Sequence, residues 1–228
     1  MAKSGTDFDP LMAGFFSITE AARLVGVNPR VVRSWLNGYS NSNAGPVIDR
    51  DFDDPRTVSF LDLMELRFIA VFRSQSVSMP TLRLAAEKAR QAWGVHHPLA
   101  LSSEKYVTDR RTIFATVAKE NKDRVAWDMA SGQLEMWETI EHTIEKGVEF
   151  DPQTYLAKVW HPRLATSPNV VIDPRVAFGK PIVRGTTVPT VVLFRQWRAD
   201  KNKARVADWF DVPIDAVTSA IEYELVAA

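Results

Sequence analysis

One packing pattern occurs twice in this chain, 185 residues apart, and it restricts both ends to the same kind of helical unit. Ala22-x-x-Val25-Gly26-Val27-x-x-x-x-Val32 recurs as Ala207-x-x-Phe210-Asp211-Val212-x-x-x-x-Val217, and Leu36 recurs as Ile221. Apolar residues at helical spacing on either side of a turn describe two short helices packed against each other. In the first copy Thr19 is a candidate N-cap, or Ser17 paired with Glu20 a capping box, for a helix running to about Val25. Gly26 turns the chain, Asn28 caps a second helix, and Pro29 sits where a first-turn proline costs nothing. Ala21, Ala22 and Val25 are expected to face Val31, Val32 and Trp35. The outward face of the second helix then carries Arg30, Arg33, Ser34 and Asn37, groups that reach phosphates or base edges. The second copy presents Asp215, Thr218, Ser219, Glu222 and Glu224 instead, a poor phosphate reader. It is read as a fold element or a protein contact.

Between the copies the expected fold class is α+β, mainly α. A loose arm covers residues 1–14, and a flexible loop covers 38–46. A hairpin is expected over 47–60, turning at Asp53-Asp54-Pro55. Ser59 caps a helix from Leu61 to about Gln75, and Ser78 caps another ending near Trp93. In the middle, 105–108 and 112–117 read as two strands about Asp109-Arg110-Arg111. A helix over Leu134–Lys146 ends at Gly147, and 155–160 reads as a strand. The expected domains are 15–95, a mixed α/β linker or dimerisation region over 96–160, and a three-helix C-terminal domain over 161–228.

The 228 residues hold 28 Lys and Arg, 28 Asp and Glu, and no cysteine. Disulfide scaffolds, thiolate zinc sites and a cysteine nucleophile are excluded, which fits a reducing cytoplasm. The apolar runs fall well short of the roughly 20 residues needed to cross a bilayer, and the N-terminus has no apolar signal core. No P-loop or nucleophile elbow is present, so catalytic residues and cofactors are expected to be absent. The histidines, His96, His97, His142 and His161, include no pair at helical ligand spacing, and no metal site is expected. The neutral total conceals a segment, 161–205, with nine Lys and Arg against two acids, which points to an anionic partner.

Helix, turn, helix, hairpin and then a helix opened by Ser59-Phe60-Leu61-Asp62-Leu63-Met64 resembles the MerR-type winged-helix domain over residues 15–93. The resemblance implies DNA binding, with Thr19, Asn28, Arg30, Arg33, Ser34, Asn37, Arg50 and Arg56 as candidate contacts. It departs at the wing, where Asp49, Asp51, Asp53 and Asp54 would be repelled by phosphates.

Residues 179–189 place glycines and prolines at fixed offsets around a short β-prone run, Ile182-Val183. Gly179 and Gly185 permit positive φ, while Pro181 and Pro189 stiffen the turns that hold Lys180 and Arg184. The Gly-Lys-Pro-x-Val-x-Gly-Thr core, followed by three helices over about 163–224, resembles a domain of unknown function found in VapB-type antitoxins. That resemblance implies an antitoxin of a type II toxin–antitoxin pair, a PIN-like ribonuclease toxin as partner, operator DNA, and a homodimer within a larger toxin–antitoxin assembly. The candidate toxin contacts are Lys180, Arg184, Thr186, Thr187, Arg195 and Arg198, of which the four cations suit an acidic metal-binding active site. The family's arginine after Gly-Thr is Thr187 here, so no role of that arginine transfers. Two other readings stand beside this one. One is a MerR-like regulator sensing a small ligand in a pocket of Tyr106, Phe114, Trp127, Trp137 and Trp160. The other is a protein-binding adaptor that has lost DNA contact.

Overall fold

The computed structural model describes residues 13–38, 45–132 and 134–227. They form two compact units, one from Phe16 to Lys158 and one holding the described residues from Val159 onward together with Ala13 to Phe15. The expected loose arm lies outside the described residues apart from Ala13 and Gly14, as does most of the loop over 38–46. The class is α+β and mainly α.

The first unit opens with β1 (Phe16–Ser17), α1 (Ile18–Val25) and α2 (Pro29–Asn37). Ser17 and Glu20 form a reciprocal capping box, so Thr19 lies inside the helix rather than at its cap. Gly26 adopts the left-handed conformation at φ 70°, and the Asn28 side chain accepts from the Arg30 amide at 2.9 Å. Ala21, Ala22, Val32, Trp35 and Leu36 are buried, whereas Val31 is exposed. Val31 is one residue, about 100° of helix, away from the Val32 stripe.

The expected hairpin over 47–60 is not formed. β2 (Thr57–Val58) pairs antiparallel with β1, placing Phe16 opposite Val58 and Ser17 opposite Thr57. Between Asp49 and Arg56 the aspartates and Pro55 offer no alternating apolar face for a strand. Val47 and Ile48 bury instead, and the Val47 amide donates to the Trp35 carbonyl at 3.0 Å. Ser59 with Asp62 caps α3 (Phe60–Ser74), and Ser78 caps α4 (Met79–Trp93).

Residues expected as two strands form one helix, α5 (Ser103–Glu120), capped by Ser102. Local β-branching suggested strands, yet Arg110, Phe114, Val117 and Ala118 bury at helical spacing. The threonines are accommodated by donating backward: Thr112 Oγ1 to the Thr108 carbonyl and Thr116 Oγ1 to the Thr112 carbonyl, each at 2.9 Å. Next come α6 (Arg124–Ser131), α7 (Leu134–Glu145), and the paired strands β3 (Val148–Phe150) and β4 (Ala157–Trp160). Gly147 at φ 76° follows α7, and Tyr155 at φ 61° turns the chain before β4. The stretch 96–158 belongs to the same unit as the N-terminal helices. Phe68, Phe72, Phe114 and Trp137 form its aromatic centre, with ring centroids 4.5–6.0 Å apart.

In the second unit β5 (Val170–Val171) pairs antiparallel with β6 (Ile182–Val183), and α8 (Thr190–Asp200), α9 (Lys203–Phe210) and α10 (Ile214–Ala227) follow. Strand alternation splits the pair: Val170 and Val183 enter the core made by Leu193, Val206, Val217 and Ile221, while Val171 and Ile182 pack with Val159 on the other face.

The internal repeat is reproduced bond for bond. The Val27 amide donates to the Ala22 carbonyl at 2.9 Å and the Val212 amide to the Ala207 carbonyl at 3.0 Å. Asp211, at φ 50°, holds the left-handed position that Gly26 holds in the first copy.

Candidate functional site

Each of the two units carries some of the groups expected to contact partners. On α2, Arg30 and Arg33 are exposed at i and i+3, adjacent on one face of the helix. Thr19 and Arg56 are also exposed. The remaining candidates are engaged within the fold. The Asn28 side-chain Oδ1 caps α2, and Ser34 Oγ donates to the Val31 carbonyl at 2.7 Å. Asn37 Nδ2 donates to the Pro55 carbonyl at 3.2 Å, and its Oδ1 accepts from Arg50 Nη1 at 2.7 Å. Arg50 Nη2 further donates to the carbonyls of Asp54 and Thr57. Arg50 is therefore a brace that fastens the 50–57 loop to the C-terminal end of α2.

Of the expected wing aspartates, Asp54 caps its own turn. The Thr57 hydroxyl at 2.5 Å, with the Arg56 amide, holds its carboxyl below the usual range.

The glycines of the second unit behave as their spacing predicts: Gly179 has φ 77° and Gly185 has φ 84°. Thr186, however, is buried, and its hydroxyl donates to the Val183 carbonyl at 2.8 Å, so it builds the turn rather than a surface. Arg184 is exposed and lies 2.8 Å from His161 Nε2 through Nη2. Thr187, Arg195 and Arg198 are exposed, and Lys180 is half-buried. Much of the local positive excess is engaged internally. Arg175 pairs with Asp173 at 2.6 Å and Arg205 with Asp200 at 2.8 Å. Arg163 donates to the Tyr223 carbonyl while lying over its ring, and Lys201 lies over Trp197.

The aromatic residues considered for a pocket have different settings within their units. Phe114 and Trp137 are core residues, Trp127 is exposed, Tyr106 packs on Trp93, and Trp160 belongs mainly to the other unit. The first unit does carry a cleft of about 330 Å³, lined by Glu104, Glu138, Glu141, His142 and Glu145 among others, and its character is acidic.

One group escaped the sequence reading. Asp51, His96 and His97 come together from the 49–51 loop and the segment after α4, and Glu65 of α3 lies behind them. A search for helical ligand spacing misses a cluster whose members come from different elements; the adjacent histidines were its one local signal. Burial disfavours the charge on His97, but its bonds to Asp51 and Glu65 prevail and push it up to about 10. Burial likewise pushes the Asp62 carboxyl up to about 6.

Residues 170–223 match a family described as "Protein of unknown function (DUF433)". Over 225 residues the chain is 23% identical to a Mycobacterium tuberculosis (strain H37Rv) protein named "Putative antitoxin VapB45", covering 91% of this chain and 92% of the relative. The crystal structure of Rv2018 from Mycobacterium tuberculosis superposes with a TM-score of 0.66 at 22% identity, covering 94% of this chain and 98% of that one. This last likeness is one of fold. Among the described residues no helix is long and apolar enough to cross a membrane.

Proposed function

We propose that this chain is the antitoxin of a type II toxin–antitoxin pair, a non-enzymatic cytoplasmic protein that neutralises a PIN-like ribonuclease and represses its own operon. The observation that carries this reading is the similarity to a named antitoxin along nine-tenths of the chain. The α1–α2 pair acts as a helix-turn-helix, with Arg30 and Arg33 on the phosphates or base edges of operator DNA and Arg56 beside them. A dimer sets two such helices on two half-sites.

The second copy of the repeat lacks cations on its outer helix, so it does not read DNA. Toxin recognition is assigned to the second unit, where Arg184, Arg195 and Arg198 offer exposed guanidinium groups to the carboxylates of a metal-dependent nuclease. Charge on the toxin and charge on DNA are thereby met by different parts of the chain.

Co-expression with the product of the neighbouring gene tests the proposal. Growth should be rescued by the wild-type chain and lost with the triple variant R184E/R195E/R198E, while that variant still shifts its promoter DNA. Equal rescue by both would remove these arginines from toxin binding, and failure of the wild type to rescue would remove the antitoxin role.

A further inference from the structure

Asp51 Oδ1 is shared by two imidazoles: it lies 3.0 Å from His97 Nε2 and 3.4 Å from His96 Nδ1. The two rings stand edge to face with centroids 4.3 Å apart. One donor atom from each of the three residues lies within 4.8 Å of the others. Four ligands at zinc-type bond lengths of about 2.0–2.2 Å stand roughly 3.3 Å from each other, and both Asp51 contacts fall close to that edge length.

The far side of each ring also carries a carboxylate. Glu65 Oε2 is 3.3 Å from His97 Nδ1, and Glu65 is itself fixed by the Leu99 amide, which donates to Oε1 at 3.0 Å. Asp49 Oδ2 is 3.1 Å from His96 Nε2, although out of line for a hydrogen bond. A carboxylate behind a ligating imidazole sets its tautomer and raises its basicity, the usual support of a metal-bound histidine.

A separate observation is an unpaired buried oxygen nearby. Asp62 is fully buried, its Oδ1 has no hydrogen-bond partner, and its charge is felt by His97 and Asp51. Arg90 comes near, but donates to the carbonyls of Val47 and His96 and to none of these carboxylates. Asp51 and Glu65 thus meet a single buried imidazole from opposite sides.

We propose that Asp51, His96 and His97 bind a divalent transition-metal ion of zinc type, with Glu65 orienting the His97 imidazole. The half-exposed edge of His96 leaves the fourth position open to water or an added ligand. Two histidines and one carboxylate suit such an ion better than calcium or magnesium, which take oxygen donors. The ion would tie the 49–51 loop to α3 and to the segment after α4. Because Arg50 braces Asn37 from that loop, metal loading would stiffen the end of α2.

The test uses the full chain stripped with a chelator and titrated with Zn²⁺ by calorimetry and with Co²⁺ by visible absorption. One equivalent should bind, with the d–d bands of a low-coordinate Co²⁺ complex. His96→Ala and Asp51→Asn should abolish both signals, and Glu65→Gln should weaken binding about 10–100-fold. His96→Ala is the main probe because that side chain is 37% exposed, so its loss leaves the fold intact, as circular dichroism will report. Absence of saturable uptake by the wild type, or equal uptake by wild type, His96→Ala and Asp51→Asn, would overturn the assignment.

Discussion

Arg110 Nη1 and Glu141 Oε2 form an ion pair at 2.5 Å in which neither side chain is more than 2% exposed. The pair joins α5 to α7 inside the first unit. Arg110 also donates from Nη2 to the Leu101 carbonyl at 3.0 Å and lies 5.3 Å from the centre of the Phe68 ring. Glu141 Oε1 and Arg110 Nε have no hydrogen-bond partner. Burial pushes the Glu141 carboxyl above its usual range even though Arg110 opposes the shift. Desolvation therefore outweighs the attraction at Glu141, and removing one partner leaves the other charge buried alone.

Arg110→Met alone should lower stability by about 3–5 kcal/mol, because Glu141 is left buried without its counter-charge. Arg110→Met with Glu141→Leu should recover most of that loss. Urea unfolding of the single and double variants measures the coupling. A double variant as unstable as the single one would assign the cost to packing instead.

The pH dependence of stability should carry the mark of Asp62. Its folded-state carboxyl is pushed up to about 6 from an ordinary value of 3.8. The folded state thus holds this proton more tightly than the unfolded chain. The stabilising contribution is complete below pH 3.8 and is lost as pH rises through about 6. Asp62→Asn keeps a side-chain acceptor for the Ser59 amide and removes the titration. In the presence of chelator, wild type should lose about 2 kcal/mol relative to this variant between pH 4 and 8. A pH-independent difference would refute the raised value.

The repeat makes its own prediction at the turn. Asp211 pays backbone strain at φ 50° where Gly26 at φ 70° does not. Asp211→Gly should raise stability by about 0.5–1 kcal/mol, and Gly26→Ala should lower it by about 1 kcal/mol. No atom lies within 4 Å of a Cβ built on Gly26, so the loss would come from the backbone alone. Thermal unfolding of both variants, with equal burial verified by the denaturant slope, is the measurement.

Most helix caps were legible because each is a local contest decided within four residues, whereas the hairpin turn expected at Asp53-Asp54-Pro55 was not, because β2 pairs with β1 instead. Ser17 with Glu20, Asn28, Ser59 and Ser78 all cap as their spacing indicates. The 103–120 helix was not legible, since its β-branched residues favour strands until Phe114 finds Phe72 and Trp137, and Arg110 finds Glu141. The role of Arg50 was hidden for a similar reason: a basic residue beside four aspartates reads as a surface charge until its carbonyl partners are known. The Asp51–His96–His97 group depends on a loop meeting the segment beyond α4, which no periodicity records.

Arg50 and the arginines of α2 should separate in one experiment. If Arg30 and Arg33 meet phosphates, Arg30→Ala and Arg33→Ala will each weaken binding to promoter DNA uniformly across sequences. Each will also reduce the salt slope of log K by about 1, as loss of one phosphate contact requires. Arg50→Ala removes bonds to Asn37 Oδ1 and to the Asp54 and Thr57 carbonyls. It should cost about 1–3 kcal/mol of stability and leave the salt slope unchanged. Fluorescence anisotropy across a salt series, alongside urea unfolding, reads both quantities. A drop in slope for Arg50→Ala equal to that for Arg33→Ala would make Arg50 a DNA contact after all, requiring its guanidinium to leave Asn37 when the operator binds.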